Sequence, residues 1–296
     1  MIKSAAETAS HHRSPNPLSG QTQPLGPQVA HPFLRWAGSK RQHVPFLRAY
    51  WSPKDHRRYV EPFAGSAALF FAIAPARAVL GDLNGDLIAA FRAIRRNPEA
   101  VYAALTAFPI GRNSYYRVRA MCPPGLSEAN LAARFVYLNR FCFNGLYRTN
   151  SQGGFNVPYG APRNHNLPGL SQLRECALLL SRARLMNADF RRTLAEVDAG
   201  DFVYLDPPYA FSRRRVFVQY GKAPFSTLDL SELAAGLATI HLRGAAFILS
   251  YADGHEARHL FRRWRTRRFT VRRNMAGFSG ARRNHYELFV SNIKGF

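Results

Sequence analysis

The sequence predicts an α/β fold built on an open sheet, and three stretches carry that expectation. The first is the apolar run Phe202-Val203-Tyr204-Leu205, which stops at Asp206-Pro207-Pro208-Tyr209. Strand-forming residues followed by two prolines mark a buried strand that ends abruptly, because proline donates no ladder hydrogen bond and restricts the residue before it. The second is Tyr59-Val60-Glu61, which runs into a glycine-containing turn and a helix start near Ala67, followed by a short strand ending in Asp82. In the third, the alternation resumes late in the chain, with strands expected at 184–187, 245–250 and 286–290 around one long helix. At 296 residues there is enough chain for one large core or two modest ones.

Taken in order, residues 1–31 are rich in Ser, Pro, Gln, Gly and His without an apolar period, which predicts a disordered tail; His11 and His12 belong to that composition rather than to a metal site. Order is expected from Phe33, where a short apolar segment ends at Gly38-Ser39 and Val44, Leu47 and Tyr50 then give one helical face. A turn of this kind exposes backbone N–H groups, and Lys40 adds a cation, so an anionic group can dock there. The strand at 59–61 leads through Gly65 to a helix over 67–74, and the next strand, 78–82, ends in an acid 17 residues beyond Gly65. That spacing suits a nucleoside: glycine permits close approach and the acid accepts from ribose hydroxyls. Gly-x-Gly-x-x-Gly is absent, so a nucleoside without phosphates, as in S-adenosylmethionine, fits better than a dinucleotide.

Helices are expected at 84–96, 98–107, 113–121 and 127–141. Residues 143–168 change to hairpin or loop chemistry rich in Asn, Gly, Arg and aromatics. The segment 111–192 holds twelve arginines and three acids, a local excess that suggests a phosphate-facing surface. After Tyr209, residues 210–225 form a polar, arginine-bearing loop long enough to be a mobile flap. Ser226-Thr227-Leu228-Asp229 reads as a capping box opening a helix to about 242. Ten arginines and no acid lie between Ala257 and Tyr286, which is either a solvated face or a second surface for phosphates.

Asp206-Pro207-Pro208-Tyr209 is the corner where chemistry is expected, because ligands of open α/β sheets bind at the carboxyl ends of the strands. Asp206 can accept one hydrogen of an exocyclic amine, the rigid carbonyl of Pro207 the other, and Tyr209 can lie against a flat ring. Two fixed acceptors favour a pyramidal nitrogen and stabilise the charge that develops as it attacks an electrophile. A strong base is not needed, since the cationic nitrogen formed by attack loses its proton readily.

The 41 basic and 18 acidic residues give a net charge of +23, which favours a polyanionic partner, nucleic acid first. Cys122, Cys142 and Cys176 are unclustered, against a zinc site or disulfide framework and for a reducing compartment. With no apolar run of membrane length and no signal-peptide core, a cytoplasmic, metal-free protein is expected. The sequence does not speak to oligomeric state.

The order Phe-Leu-Arg-Trp-Ala-Gly-Ser-Lys (33–40), Val-Glu-Pro-Phe-Ala-Gly-Ser (60–66), Gly-Asp-Leu-Asn (81–84), Leu-Asn-Arg-Phe-Cys-Phe-Asn-Gly-Leu-Tyr-Arg (138–148), Gly-Phe-Asn-Val-Pro-Tyr-Gly (154–160) and Asp-Pro-Pro-Tyr (206–209) closely resembles the Dam-type family of DNA adenine methyltransferases. The resemblance spans about residues 32–291 and departs mildly at Gly38-Ser39-Lys40, where family members such as the enterobacterial enzyme end this motif Gly-Gly-Lys. It implies a Rossmann-like S-adenosylmethionine-dependent core over 32–108 and 170–296, with a helical and hairpin target-recognition insertion at 109–169. It further implies methyl transfer from S-adenosylmethionine to the exocyclic amine of an adenine flipped out of double-stranded DNA. Carried over by position, Asp206, Pro207, Pro208 and Tyr209 are catalytic; Trp36, Lys40, Glu61, Phe63, Gly65, Asp82 and Asp206 contact the cofactor; Arg35, Asn144, Leu146, Arg148 and Pro158 meet the target sequence or fill the gap beside it. Cytosine in DNA, adenine in RNA or a protein glutamine amide remain as alternative acceptors, and a basic DNA-binding protein with a decayed core remains as a non-catalytic one. A dinucleotide oxidoreductase is disfavoured by the glycine pattern.

Overall fold

Seven strands in the order β3-β2-β1-β4-β5-β7-β6 form one sheet in the computed structural model, which describes residues 29–161, 166–210, 225–271 and 285–296. The chain enters through α1 (Val44–Arg48), β1 (Arg58–Glu61), α2 (Ala68–Ile73) and β2 (Ala78–Asp82). Four helices follow, α3 (Gly85–Arg96), α4 (Pro98–Thr106), α5 (Arg112–Ala120) and α6 (Glu128–Phe141), then α7 (Leu170–Leu180) and β3 (Ala183–Asn187). The remainder is α8 (Phe190–Ala195), β4 (Asp201–Leu205), α9 (Thr227–Leu242), β5 (Ala246–Ala252), α10 (His255–Leu260), β6 (Arg265–Val271) and β7 (His285–Ser291). β1 to β5 pair in parallel, and β7 runs antiparallel to both β5 and β6. The α/β class expected from the sequence is the class observed.

Strands buried on both faces are apolar nearly throughout, and all five residues of β4 are buried. Alternate residues feed two cores. Tyr59, Leu80, Phe202, Tyr204, Ile248 and Phe289 face one side, where α2 to α7 pack. Val60, Val79, Val203, Leu205, Phe247 and Leu249 face the other, against α8, α9 and α10. The first core continues without a break into α5 and α6 through Tyr115, Val136, Tyr137 and Phe141. At the far end of the sheet Arg58 Nη2 meets the fully buried Asp201 carboxylate at 2.6 Å and pins the starts of β1 and β4 in register.

Helix starts follow local capping chemistry. Asn84 accepts from the Leu87 N–H and opens α3, Ser127 opens α6, and Asp189 opens α8. The capping box expected at Ser226 and Asp229 is present at the start of α9. Residues 143–168 do form a hairpin-like excursion over their described part: Cys142 bridges Tyr159 and Thr149 bridges Phe155. Ala30 is buried and its N–H donates to the Phe71 carbonyl at 3.2 Å. Residues 1–28 of the expected tail, the flap at 211–224 and the arginines of 272–284 lie outside the described residues. β6 is a strand that the arginine run concealed. Its edge position asks for one hydrogen-bonded neighbour only and leaves Arg265, Arg267 and Arg268 in solvent.

No helix among the described residues is long and apolar enough to cross a membrane, and no group of three His, Cys, Asp or Glu there could hold a metal ion.

Candidate active site

From β1 the chain steps outward to β2 and β3, and it then returns on the other side of β1 as β4. That reversal opens a crevice at the carboxyl ends of β1 and β4, the place where open sheets take ligands. Glu61 ends β1, Asp82 ends β2, and Asp206 follows β4.

Asp206 is fixed from two directions. Its Oδ1 accepts from Lys40 Nζ at 2.8 Å and from Ser250 Oγ at 2.8 Å. Its Oδ2 accepts no hydrogen bond among the described residues. Burial raises the Asp206 carboxyl above the ordinary aspartate value, against the pull of Lys40 and Ser250. Burial opposes the Lys40 ammonium, yet the neighbouring charges, Asp206 first, outweigh it and hold Lys40 firmly protonated. The same nitrogen lies 3.4 Å from Glu287 Oε1 and donates to the Gly38 carbonyl at 3.0 Å. The cation expected at the Gly38-Ser39 turn therefore faces the Asp206 carboxylate rather than an anion at a helix N-terminus. Pro207 is buried, and Tyr209 OH donates to Glu287 Oε1 at 2.9 Å with its ring 5.8 Å from Lys40 Nζ.

Across the crevice, Asp82 accepts the Gly65 N–H on Oδ2 at 3.0 Å and the Asn84 N–H on Oδ1 at 2.9 Å. Each carboxylate oxygen keeps a second lone pair for a hydroxyl donor. Burial pushes the Asp82 carboxyl up to about 6, despite those two N–H bonds. Gly65 has φ +48, and a Cβ there would stand 2.8 Å from Trp36 Cδ1, so only glycine lets the indole close over this turn. Ala67, two residues on, also takes a left-handed conformation, at φ 52 and ψ 40. A non-glycine residue held there stores strain of the kind found at ligand clamps. Phe63 stacks on Phe190, and burial pushes the Glu61 carboxyl well above its ordinary value while Tyr59 OH donates to it at 2.9 Å. Ser39 Oγ and Asn84 Nδ2, which flank Lys40 and Asp82 in the chain, are buried without hydrogen-bond partners among the described residues. Both can hydrogen-bond to a bound group.

A second group gathers on the hairpin. Phe143 N–H donates to the Pro158 carbonyl, which brings Asn144, Leu146 and Pro158 together, and Arg148 Nε donates to Asn156 Oδ1 at 2.7 Å. Asn144 is exposed with φ 53. Arg35 joins this group because the buried Asn139 side chain clasps its backbone, accepting from Arg35 N at 2.8 Å and donating to Arg35 O at 2.6 Å. Residues 35–40 thus feed both groups, Arg35 to the hairpin and Trp36 and Lys40 to the crevice. Sequence reasoning missed Ser250, Asn139 and Glu287. Glu287 left one signal, a lone acid inside an otherwise apolar and aromatic strand.

Residues 36–276 match the family model described as D12 class N6 adenine-specific DNA methyltransferase. The type II methyltransferase M1.LlaDCHI of Lactococcus lactis subsp. cremoris is 33% identical over 270 residues, covering 88% of this chain and 95% of that protein. The DNA adenine methylase of Escherichia coli strain K12 is 32% identical over 267 residues, covering 87% and 94%. The retron Ec67 DNA adenine methylase of Escherichia coli is 32% identical over 263 residues, covering 87% and 90%.

Proposed function

Because the chain belongs to the D12 class of N6 adenine-specific DNA methyltransferases, and is therefore an enzyme that methylates adenine N6 in DNA, we infer that the crevice between Asp82 and Asp206 is where the transfer takes place. Cytosine, RNA adenine and glutamine acceptors, open from the sequence, are not favoured by that membership.

The residues present fit S-adenosylmethionine as the methyl donor. The Asp82 carboxylate offers lone pairs to ribose hydroxyls, the Trp36 indole packs closely over the Gly65 turn, and Phe63 supplies an aromatic wall; Glu61 and Lys40 stand beside them. When bound, this cofactor supplies an electrophilic methyl group. The chain's own residues do the rest. A duplex hides the adenine amine in the stack, so the base must be turned out into the crevice. There Tyr209 lies against the ring, Asp206 accepts one amine hydrogen through the oxygen that Lys40 and Ser250 leave open, and the Pro207 carbonyl accepts the other. Fixed acceptors stabilise positive charge developing on nitrogen, and holding the reactants in place accounts for much of the acceleration. Arg35, Asn144, Leu146, Arg148 and Pro158 read the flanking sequence from the hairpin. Residues 109–169 serve as the recognition insertion between the two parts of the catalytic core, 32–108 and 170–296.

The observation that carries this reading is the pairing of Lys40 with Asp206 at the end of β4, which ties the segment bearing Trp36 and Arg35 to the reactive carboxylate. Incubating the protein with S-adenosylmethionine labelled in the methyl group and double-stranded DNA tests it. The label should appear in N6-methyladenine and depend on the duplex. Label in cytosine, or equal labelling of single strands, would contradict it.

A further inference from the structure

We propose that Glu287 is a positioning residue for methyl transfer, one carboxylate oxygen fixing both the Tyr209 ring and the Lys40 ammonium so that Asp206 keeps an acceptor for the target amine. The inference rests on the placement of the chemistry at Asp206 argued above. Glu287 lies on β7, opposite Ala252 of β5, and is 4% exposed. A carboxylate buried that deeply is costly unless it is paired and hydrogen-bonded. Here Oε1 does both, accepting from Tyr209 OH at 2.9 Å and standing 3.4 Å from Lys40 Nζ.

The two bonds have different consequences. The first holds the tyrosine at its hydroxyl, so the ring cannot swing away from the crevice. The second divides the lysine's charge. Lys40 Nζ sits 2.8 Å from Asp206 Oδ1, and without a second carboxylate its whole attraction would fall on Asp206, making that group a weaker acceptor for the amine. The neighbouring strand completes the support: Ser250 holds Asp206, and Tyr251 OH accepts from the Ala210 N–H at 2.7 Å, immediately beyond the motif. β5 and β7 together thus hold the segment 206–210 at its start, at its ring and at its end.

Single-turnover methylation of a duplex by Glu287→Gln, Glu287→Ala and Tyr209→Phe tests the proposal, with the Michaelis constant for DNA measured alongside. Gln keeps an oxygen for the tyrosine but loses the charge on Lys40, and Ala loses both. The transfer rate should fall about tenfold for Gln and further for Ala, with the DNA Michaelis constant within about threefold of wild type. A merely structural role would lower the fraction of active protein or its Tm and leave the rate per active site unchanged. Wild-type transfer by Glu287→Gln, or a loss confined to the DNA Michaelis constant, overturns the proposal. Should the Glu287 variants fail to fold, Tyr209→Phe carries the test alone: slower transfer at unchanged DNA affinity supports it, and wild-type transfer overturns it. Asp206→Ala in the same assay separates the two readings. Full activity there refutes the site itself, whereas a silent Asp206→Ala beside fully active Glu287 variants refutes only the role of Glu287.

Discussion

At Asp82, burial and two backbone N–H donors pull in opposite directions, and burial wins, leaving the carboxyl at about 6. An acid whose pKa is raised is protonated over a wider range of acidic pH, and in that form it accepts hydroxyl hydrogens poorly. S-adenosylmethionine affinity should therefore weaken as pH falls from 8 to 5, with its midpoint near the pKa of about 6. Asp82→Asn should flatten that profile, and calorimetric titration across the range reads both; an affinity independent of pH in the wild-type protein would remove Asp82 from the pocket. On the proposed role of Asp206, its raised carboxyl should act in the same direction on the transfer step, since only the charged form stabilises the amine as it becomes positive.

Among the elements, the hairpin from Cys142 to Tyr159 depends on Gly160. A Cβ there would meet the Cys142 carbonyl oxygen at 2.5 Å and the Phe143 Cα at 2.8 Å, both backbone atoms with little freedom to move. Gly160→Ala should cost about 1–3 kcal/mol, the usual range for overpacking. It should also blur sequence choice by shifting Asn144 and Arg148. Thermal unfolding and methylation of mismatched sites measure the two effects, and unchanged values in both would show that the hairpin is not held at this point. The strands β1 to β5 and β7 were legible in the sequence, the central ones because a parallel strand buried on both faces is largely apolar, and the Asp-Pro-Pro stop marked where β4 ends. β6 was not legible, because an edge strand tolerates charge and so imitates a solvated run. The Asn139 clasp on Arg35 joins residues 104 apart in the chain, and Ser250 reaches Asp206, and Glu287 reaches Tyr209 and Lys40, only through strand order. Local patterns report caps, turns and strand ends; they do not report which distant strand will lie alongside.

Across the whole molecule, the net charge of +23 draws in DNA, but the charge is unevenly used. Arg258 and Arg268 both pair with Asp253, while Arg262, Arg263, Arg265 and Arg267 are exposed and have no carboxylate partner among the described residues. Arg265 begins β6 opposite Ser291, which is opposite Ile248 and so level with Tyr204, two residues short of Asp206 and at the end of β6 farther from the strand ends. On the proposed placement of a duplex beyond the strand ends, Arg265 makes no phosphate contact. Arg265→Ala should then leave the salt dependence of DNA binding unchanged, whereas loss of one phosphate contact would reduce the slope of log K against log salt by about 0.9. The proposed function puts duplex binding and chemistry on different parts of the protein, and Asp206→Ala tests that division most directly, since Glu287 stays beside Lys40 to balance its charge. Duplex affinity and N6-methyladenine formation should be measured on the same preparation. Affinity should stay close to wild type with methylation abolished, and methylation near the wild-type rate would refute the role of Asp206.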